Sequence, residues 1–224
     1  MLSVIVPVYN EERTLAEVVS KLLSLDIDKQ IIIVNDGSSD STHREIAKFS
    51  GLANIVVINV EQNRGKGNAI RQGLKTAKGE IVAIQDADLE YNPDDLIKLV
   101  GILMEKRAQV VYGCRFCSDF ETPLWHEIGN RILSILSSII YFRWVKDMET
   151  CYKIMYLENW KALDLKSDRF EVEAEITAKV LKNRFKFIQE PIRYKFRSFK
   201  EGKKISWKDG VRSVFVLLKH RFLY

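Results

Sequence analysis

The chain has 224 residues, 46% hydrophobic and 29% charged, with only 11 Gly and 4 Pro, which excludes disordered and collagen-like chains and suits a single large domain with a sizeable core. Lys and Arg outnumber Asp and Glu by 35 to 30, a net charge of +5, but residues 181–224 alone hold 13 basic and 3 acidic residues. That basic end implies an anionic partner, whether nucleic acid, a membrane surface or a phosphorylated small molecule, unless it is only a solvated face.

In chain order, Ser3 to Tyr9 reads as a strand, and Thr14 to Leu25 places Leu15, Val18, Val19, Leu22 and Leu23 on one helical stripe. Ile31 to Val34 is an apolar strand, followed by a polar turn, Asp36 to Thr42, that supplies helix-capping residues. Ile55 to Val60 is a third strand, Gly67 to Ala77 a helix and Glu80 to Gln85 a fourth strand. Pro93 opens a helix that runs to Lys106, and Gln109 to Cys114 is the next strand. Apolar strands alternating with amphipathic helices predict an α/β fold with a mostly parallel sheet covered on both faces.

Beyond Cys114 the pattern changes. Trp125 to Phe142 is an amphipathic helix with Ile128, Ile132, Ile135, Leu136, Ile139 and Ile140 opposite Asn130, Arg131, Ser134, Ser137 and Ser138. Its apolar stretch is shorter than the ~20 residues of a spanning helix, so the stripe packs on the domain, lies on a membrane or lines an apolar groove. Asp147 to Tyr156 reads as a strand, Phe170 to Lys182 as a helix and Phe185 to Tyr194 as an extended segment. A basic loop, Arg197 to Lys204, then leads to a last helix, Trp207 to Phe222.

Three cysteines do not make a secreted disulfide framework, and the amino terminus lacks the basic head and cleavage site of a signal peptide, so a reducing, cytoplasmic setting is expected. Continuing the strand through Cys114-Arg-Phe-Cys117 would hold the two Cα atoms ~10 Å apart, too far to bridge. With no second pair and three scattered histidines, buried or idle thiols are expected rather than zinc ligands.

The polar clusters follow the strands: Tyr9-Asn-Glu-Glu12, Asn35-Asp-Gly-Ser-Ser39, Gln62-Asn-Arg-Gly-Lys66 and Asp86-Ala87-Asp88. Ligands of such sheets bind beyond the carboxyl ends of the strands. An extended chain turns Asp86 and Asp88 the same way, and paired carboxylates suit Mg²⁺ or Mn²⁺ held beside phosphate. Dinucleotide and phosphate-loop signatures fail: Ile70 stands where the fingerprint needs its third glycine, and no G-x-x-x-x-G-K-[ST] is present.

Val4-Ile-Val-Pro-Val-Tyr-Asn-Glu11, Val34-Asn-Asp-Gly-Ser-Ser-Asp40, Asn63-Arg-Gly-Lys-Gly67 and Gln85-Asp-Ala-Asp88, in this order, resemble the family 2 glycosyltransferases of the GT-A fold, and most of all the dolichyl- or polyprenyl-phosphate hexose synthase branch. The resemblance implies one GT-A domain over 1–224, with a nucleotide-sugar half (1–115) and an acceptor half (116–224). It implies that Pro7, Tyr9 and Glu11 wall the nucleotide pocket, that Val34 and Asp36 frame the base, and that Asp86, Ala87 and Asp88 meet the diphosphate. Asp88 is then the chief metal ligand beside Asp86, with Glu90 a further ligand at a position where dolichol-phosphate mannose synthases often carry Gln. By the same resemblance Arg115 faces the donor phosphates and Arg131 lies on the acceptor-side helix. Arg197 and Lys203 match the basic pair of the mobile acceptor loop, whose usual Gly-Glu-Ser-Lys is Lys-Glu-Gly-Lys here.

The implied reaction is inverting, metal-dependent transfer of a hexose from a UDP- or GDP-sugar to a polyprenyl phosphate at the cytoplasmic face of a membrane. Contact with the bilayer would be peripheral, through the amphipathic helix near Arg131 and the Arg-, Trp- and Phe-rich end, or through a separate membrane-anchoring subunit. A lipid monophosphate, with a second pKa near ~6, is largely ionised at neutral pH and needs positioning rather than a base. A sugar hydroxyl acceptor would instead need a base, for which Asp147, Glu149 and Glu173 are the candidates, each of which reads equally as an ion-pair partner. The remaining readings are a catalytically silent nucleotide-sugar-binding protein and, for the basic end, a nucleic-acid binder, which the branch resemblance does not favour.

Overall fold

Runs of β-branched residues without polar interruption leave a strand no face for water. Val4, Ile5 and Val6 of β1 (Leu2–Val8) and Ile31 to Val34 of β2 (Lys29–Asp36) are accordingly fully buried, on both faces of the sheet. The computed structural model describes residues 1–117, 124–196 and 207–223. Its sheet has the order β3-β2-β1-β4-β6-β5-β7, completed by β3 (Ile55–Val60), β4 (Ile81–Ile84), β5 (Val110–Cys114), β6 (Lys153–Tyr156) and β7 (Phe187–Pro191). Only β6 runs antiparallel to its neighbours, β4 and β5. The chain steps from β1 outward through β2 to β3, then returns to place β4 on the other side of β1. The crevice at that reversal lies between the carboxyl ends of β1 and β4.

Pro7 occupies a central strand without losing a ladder bond. Ile5 directs its carbonyl to β4, where it accepts the Gln85 N–H at 2.9 Å. Pro7, two residues on, faces the same side past the last paired residue, Ile84, so its missing donor falls beyond the end of β4.

The helices are α1 (Leu15–Ser24), α2 (Thr42–Ala47), α3 (Lys66–Thr76), α4 (Asp94–Glu105), α5 (Leu124–Tyr141), α6 (Leu157–Ala162), α7 (Val172–Lys182) and α8 (Trp207–Phe222). The periodicity did not announce α6; it is one short turn-and-a-half whose Trp160 is buried and donates its indole N–H to the Val82 carbonyl at 3.0 Å. A second, smaller core joins α5, α7 and α8 through Tyr141, Ala174, Ala178 and Leu217.

Two expectations are corrected. The strand expected over 147–156 is confined to Lys153–Tyr156, because the preceding backbone bonds to side chains instead of a neighbouring strand: Val145 N–H donates to Ser138 Oγ and Met148 N–H to Ser134 Oγ, each at 2.9 Å. The cysteines expected to be unbridged, Cys114 and Cys117, form a disulfide, since β5 ends at Cys114 and the chain turns at Arg115, bringing the Cα atoms to 5.5 Å. Cys151 is the free, buried thiol.

Most of the stripe on α5 is turned away from the protein, although Ile140 packs against the second core. Ser134, Ser137 and Ser138 are 2%, 0% and 8% exposed, whereas Ile128, Ile132, Ile135 and Ile139 are 47–62% exposed. The serine hydroxyls satisfy themselves on the helix, Ser134 on the Asn130 carbonyl at 2.8 Å and Ser138 on the Ser134 carbonyl at 2.7 Å.

α3 is held against the strap 167–168, where a Cβ on Gly67 would overlap the Ser167 carbonyl oxygen. Gly67→Ala is therefore expected to destabilise the fold by about 1–3 kcal/mol; a urea midpoint equal to that of the parent chain would refute this close approach.

Candidate active site

Polar residues at and just beyond the strand ends of the switch region tie each loop to the next. Asp36, closing β2, is 2% exposed, and its carboxylate accepts the backbone N–H groups of Arg64 (3.1 Å) and Gly65 (2.6 Å), the entry to α3. Asn10, at φ +52°, receives the Ser39 N–H on Oδ1 at 2.8 Å and donates its own N–H to Ser38 Oγ at 3.0 Å. Glu11 donates its N–H to Thr42 Oγ1 at 2.9 Å and accepts the Thr14 hydroxyl at 2.8 Å. The loops after β1, β2 and β3 are thus one rigid edge.

Beyond β4 the carboxylates gather. Burial, then the charges of Asp86 and Glu90, with a smaller push from Glu11, raise the Asp88 carboxyl to about 8; one Asp88 oxygen accepts the Glu90 N–H at 3.1 Å. Asp86 is neutralised differently, by Lys66, whose Nζ lies 2.7 and 3.0 Å from its two oxygens. The same ammonium lies 2.9 Å from Glu173 Oε1, and the other Glu173 oxygen bonds Lys153, which also donates to the Thr150 carbonyl. Burial works against the charge on Lys66, yet Asp86 and Glu173 hold it well above the usual lysine range. Asp86, Lys66, Glu173 and Lys153 form a buried chain of alternating charge.

Beside the carboxylates, Arg115 gathers a second cluster. Its Nε and Nη2 donate to the two oxygens of Asp147, each at 2.8 Å, and its backbone N–H adds a third bond at 3.0 Å; the pair is 6% and 1% exposed. The guanidinium also lies 5.1 Å from the Phe116 ring centre and 5.3 Å from that of Tyr194, whose hydroxyl donates to Glu90 at 2.8 Å. Arg131 stacks on Phe116 from the other side, at 5.8 Å. Phe116 and Tyr194 therefore connect both arginines to the carboxylate cluster.

Of the residues singled out in the sequence, Tyr9, Glu11, Asp36, Asp86, Ala87, Asp88 and Glu90 share the carboxyl edge of the sheet, and Arg115 and Arg131 flank it. Val34 is fully buried within β2, in register with Pro7. Arg197 and Lys203 lie outside the described residues. Lys66 and Lys153 were not anticipated; Lys66 stood inside a motif already noted, while nothing local marks Lys153. Asp147 and Glu173, read as possible bases, are both committed to cations. Glu149 is the exception: burial, then Glu173, raise its carboxyl to about 7, and its Oε1 is buried without a hydrogen-bond partner among the described residues.

The donors around Asp88 are all carboxylate oxygens, and their crowded negative charge is what a hard divalent cation would offset, so the residues fit Mg²⁺ or Mn²⁺. Among the described residues no three His, Cys, Asp or Glu side chains form a metal cage.

Residues 3–158 match the model of the family described as glycosyl transferase family 2. An uncharacterized protein of Methanocaldococcus jannaschii is 30% identical over 97% of this chain and 91% of its own length. The UDP-N-acetylglucosamine–dolichyl-phosphate N-acetylglucosaminyltransferase of Methanococcus voltae is 28% identical over 97% of this chain and 95% of its own length. Among solved structures, the glucosyl-3-phosphoglycerate synthase of Mycobacterium tuberculosis, in complex with Mn²⁺, UDP and phosphoglyceric acid, superposes with a TM-score of 0.78 over 99% of this chain and 78% of that one, at 19% identity.

Asp147→Asn should cost about 3–5 kcal/mol of stability by leaving Arg115 buried without its counter-charge; a loss below 1 kcal/mol in chemical denaturation would contradict the pairing. Glu149, raised in the folded state, binds its proton more tightly there than when unfolded. Its contribution to stability is therefore present below its unfolded pKa of 4.5 and lost as pH rises towards 7. The stability of Glu149→Gln relative to the parent chain should climb between pH 4.5 and 7 and level off above; a flat difference would show that the carboxyl is not raised.

Proposed function

The chain belongs to glycosyl transferase family 2, and on that premise we propose that this glycosyltransferase moves a hexose, with inversion, from a UDP- or GDP-sugar to a polyprenyl phosphate, working peripherally at the cytoplasmic face of a membrane. The observation that carries the choice of acceptor is the state of the acids. Asp147 is locked on Arg115, and Glu173 is locked between Lys66 and Lys153. A hydroxyl acceptor would need a base, for which these two are no longer at hand and Glu149 alone remains; an ionised phosphate needs none. The M. voltae relative, named for a dolichyl-phosphate acceptor, supports the same choice.

In this reading Tyr9, Glu11 and Asp36 frame the nucleotide, with Pro7 and Val34 setting the strand ends beneath it. Asp88 with Asp86 and Glu90 would hold Mg²⁺ or Mn²⁺, which when bound neutralises the departing diphosphate. Lys66 holds Asp86 in place. Arg115, fixed by Asp147 before substrate arrives, offers a preoriented positive charge to the donor phosphates, so little reorganisation is needed as the sugar–phosphate bond breaks. Arg131, with Arg197 and Lys203, would bring the acceptor phosphate to the opposite face of the sugar carbon. An attack from that face inverts the configuration.

A second reading rests on Glu149, whose carboxyl near 7 has the affinity of a general base and would suit a hydroxyl acceptor. The two separate on one comparison. Asp88→Asn should lower transfer at least 100-fold under either reading, with an unchanged melting temperature, and remove the Mn²⁺-dependent thermal shift produced by the donor. Glu149→Gln should keep kcat within about threefold on a prenyl phosphate. If that variant is silent, or if only hydroxyl acceptors are turned over, the lipid-phosphate reading fails.

A further inference from the structure

The apolar side of α5 has no counterpart inside the protein. Ile128, Ile132, Ile135 and Ile139 recur at helical spacing and are each about half exposed, while the serines opposite them pack inward. α8 repeats the arrangement: Val211, Phe215, Leu218 and Phe222 are 42–74% exposed, and Ser213 and Leu217 are buried. The helices lie side by side, with the Tyr141 hydroxyl donating to the Leu217 carbonyl at 2.9 Å. Their stripes adjoin where the Arg221 guanidinium sits 5.8 Å from the Phe142 ring centre. Among the described residues nothing covers either stripe.

We propose that α5 and α8 together form a docking face that inserts its isoleucines and phenylalanines into a lipid bilayer with anionic headgroups. The inference deepens the reading of a lipid-phosphate acceptor and rests on it for placing the substrate in the bilayer. Charge selects the bilayer over other occupants. Among the described side chains of the two helices the one acid, Asp209, is 14% exposed and pairs with Arg212 at 3.5 Å, and Arg131, Lys208 and Arg221 are exposed beside the stripes. A second copy of the chain, paired about a twofold axis, would bring these cations against one another; anionic headgroups would neutralise them. No helix among the described residues is long and apolar enough to cross a membrane, so the contact is by insertion of one face.

The inward side of α5 then acquires a purpose. Ser134 and Ser138 accept the N–H groups of Met148 and Val145, which bracket Asp147, the residue that fixes Arg115. One helix carries the lipid-facing stripe on its outer side and supports the site on its inner side. A phosphate at the level of the headgroups is thereby brought close to Arg131 and to the Phe116–Arg115 stack.

Co-sedimentation with acceptor-free vesicles tests this without relying on turnover. The parent chain should bind vesicles of phosphatidylcholine and phosphatidylglycerol, and the variant Ile132→Ser/Ile139→Ser/Phe215→Ser/Phe222→Ser should bind at least tenfold more weakly. That variant should keep its melting temperature and its transfer to a short-chain, water-soluble prenyl phosphate. Failure of the parent chain to bind, or equal binding by the variant, would overturn the docking face even if transfer to the soluble acceptor is observed. A dimer in sedimentation velocity that Ile139→Arg dissociates would overturn it too, by assigning the face to a second copy. Vesicle binding with the expected loss, but no transfer to any prenyl phosphate, would support the face and reject the acceptor.

Discussion

The ammonium of Lys66 is the point on which the site depends. It projects from the first turn of α3 and lies between Asp86 at the end of β4 and Glu173 on α7, and Glu173 passes the constraint to Lys153 at the start of β6. Four elements distant in sequence meet on four charges. Buried pairs of this kind add little net stability, because desolvation offsets most of the attraction. What they contribute is position, since removing any one charge leaves its neighbour uncompensated. The Asp86 carboxylate is thus held in place by Lys66, whereas Asp88 is raised to about 8 by burial and by the charges of Asp86 and Glu90. The two acids differ by environment alone.

The backbone beneath Lys66 is fixed with equal economy. Asp36 takes the N–H groups of Arg64 and Gly65, donors that a helix entry otherwise leaves to water, and so joins β2 to the start of α3. On its other side α3 meets the strap 167–168, through Arg71 on the Ser167 carbonyl and the Asp168 carboxylate. The strap is anchored in turn by Glu175, which accepts the N–H groups of Lys166 (2.9 Å) and Ser167 (2.7 Å). Burial pushes the Glu175 carboxyl up, but Lys179 and these backbone donors outweigh it and leave it below the usual carboxylate range. Glycine at 67 is required because the strap crosses there with no room for a side chain.

What the sequence made legible follows from the range of the forces involved. Strands β1, β2, β4 and β5 were readable because burial on both faces writes an uninterrupted apolar code, β3 because its β-branched run marks it even at the half-buried edge of the sheet, helices α1, α3 and α4 by their periodicity, and the carboxyl-edge acids because the parallel topology leaves only one edge for loops of that kind. The partners of Arg115 and Lys66 were not, because Asp147 and Glu173 are placed by tertiary contacts over 32 and about 107 residues of separation. Asp147 and Glu173 read equally as bases or as ion-pair partners because their cations, distant in sequence, were out of sight; the structure makes both of them ion-pair partners. The disulfide escaped for a more local reason: extrapolating the β5 strand past Cys114 missed the turn at Arg115, and that turn is what brings Cys117 back within 5.5 Å.

The orientation of α5 shows where pattern reading stops in principle. Periodicity states that a helix has two unlike sides; it does not state which side faces the protein. Serine resolves the ambiguity here, since its hydroxyl can bond a carbonyl one turn back and present a small surface to a packed neighbour. Three such residues allow α5 to approach the segment 145–148 and lend it two acceptors, a role isoleucine could not fill in bulk or chemistry. The apolar side is left outward as the consequence of seating Asp147 under Arg115. The same packing that completes the site also leaves an apolar helical face exposed, so site and surface are two results of one constraint.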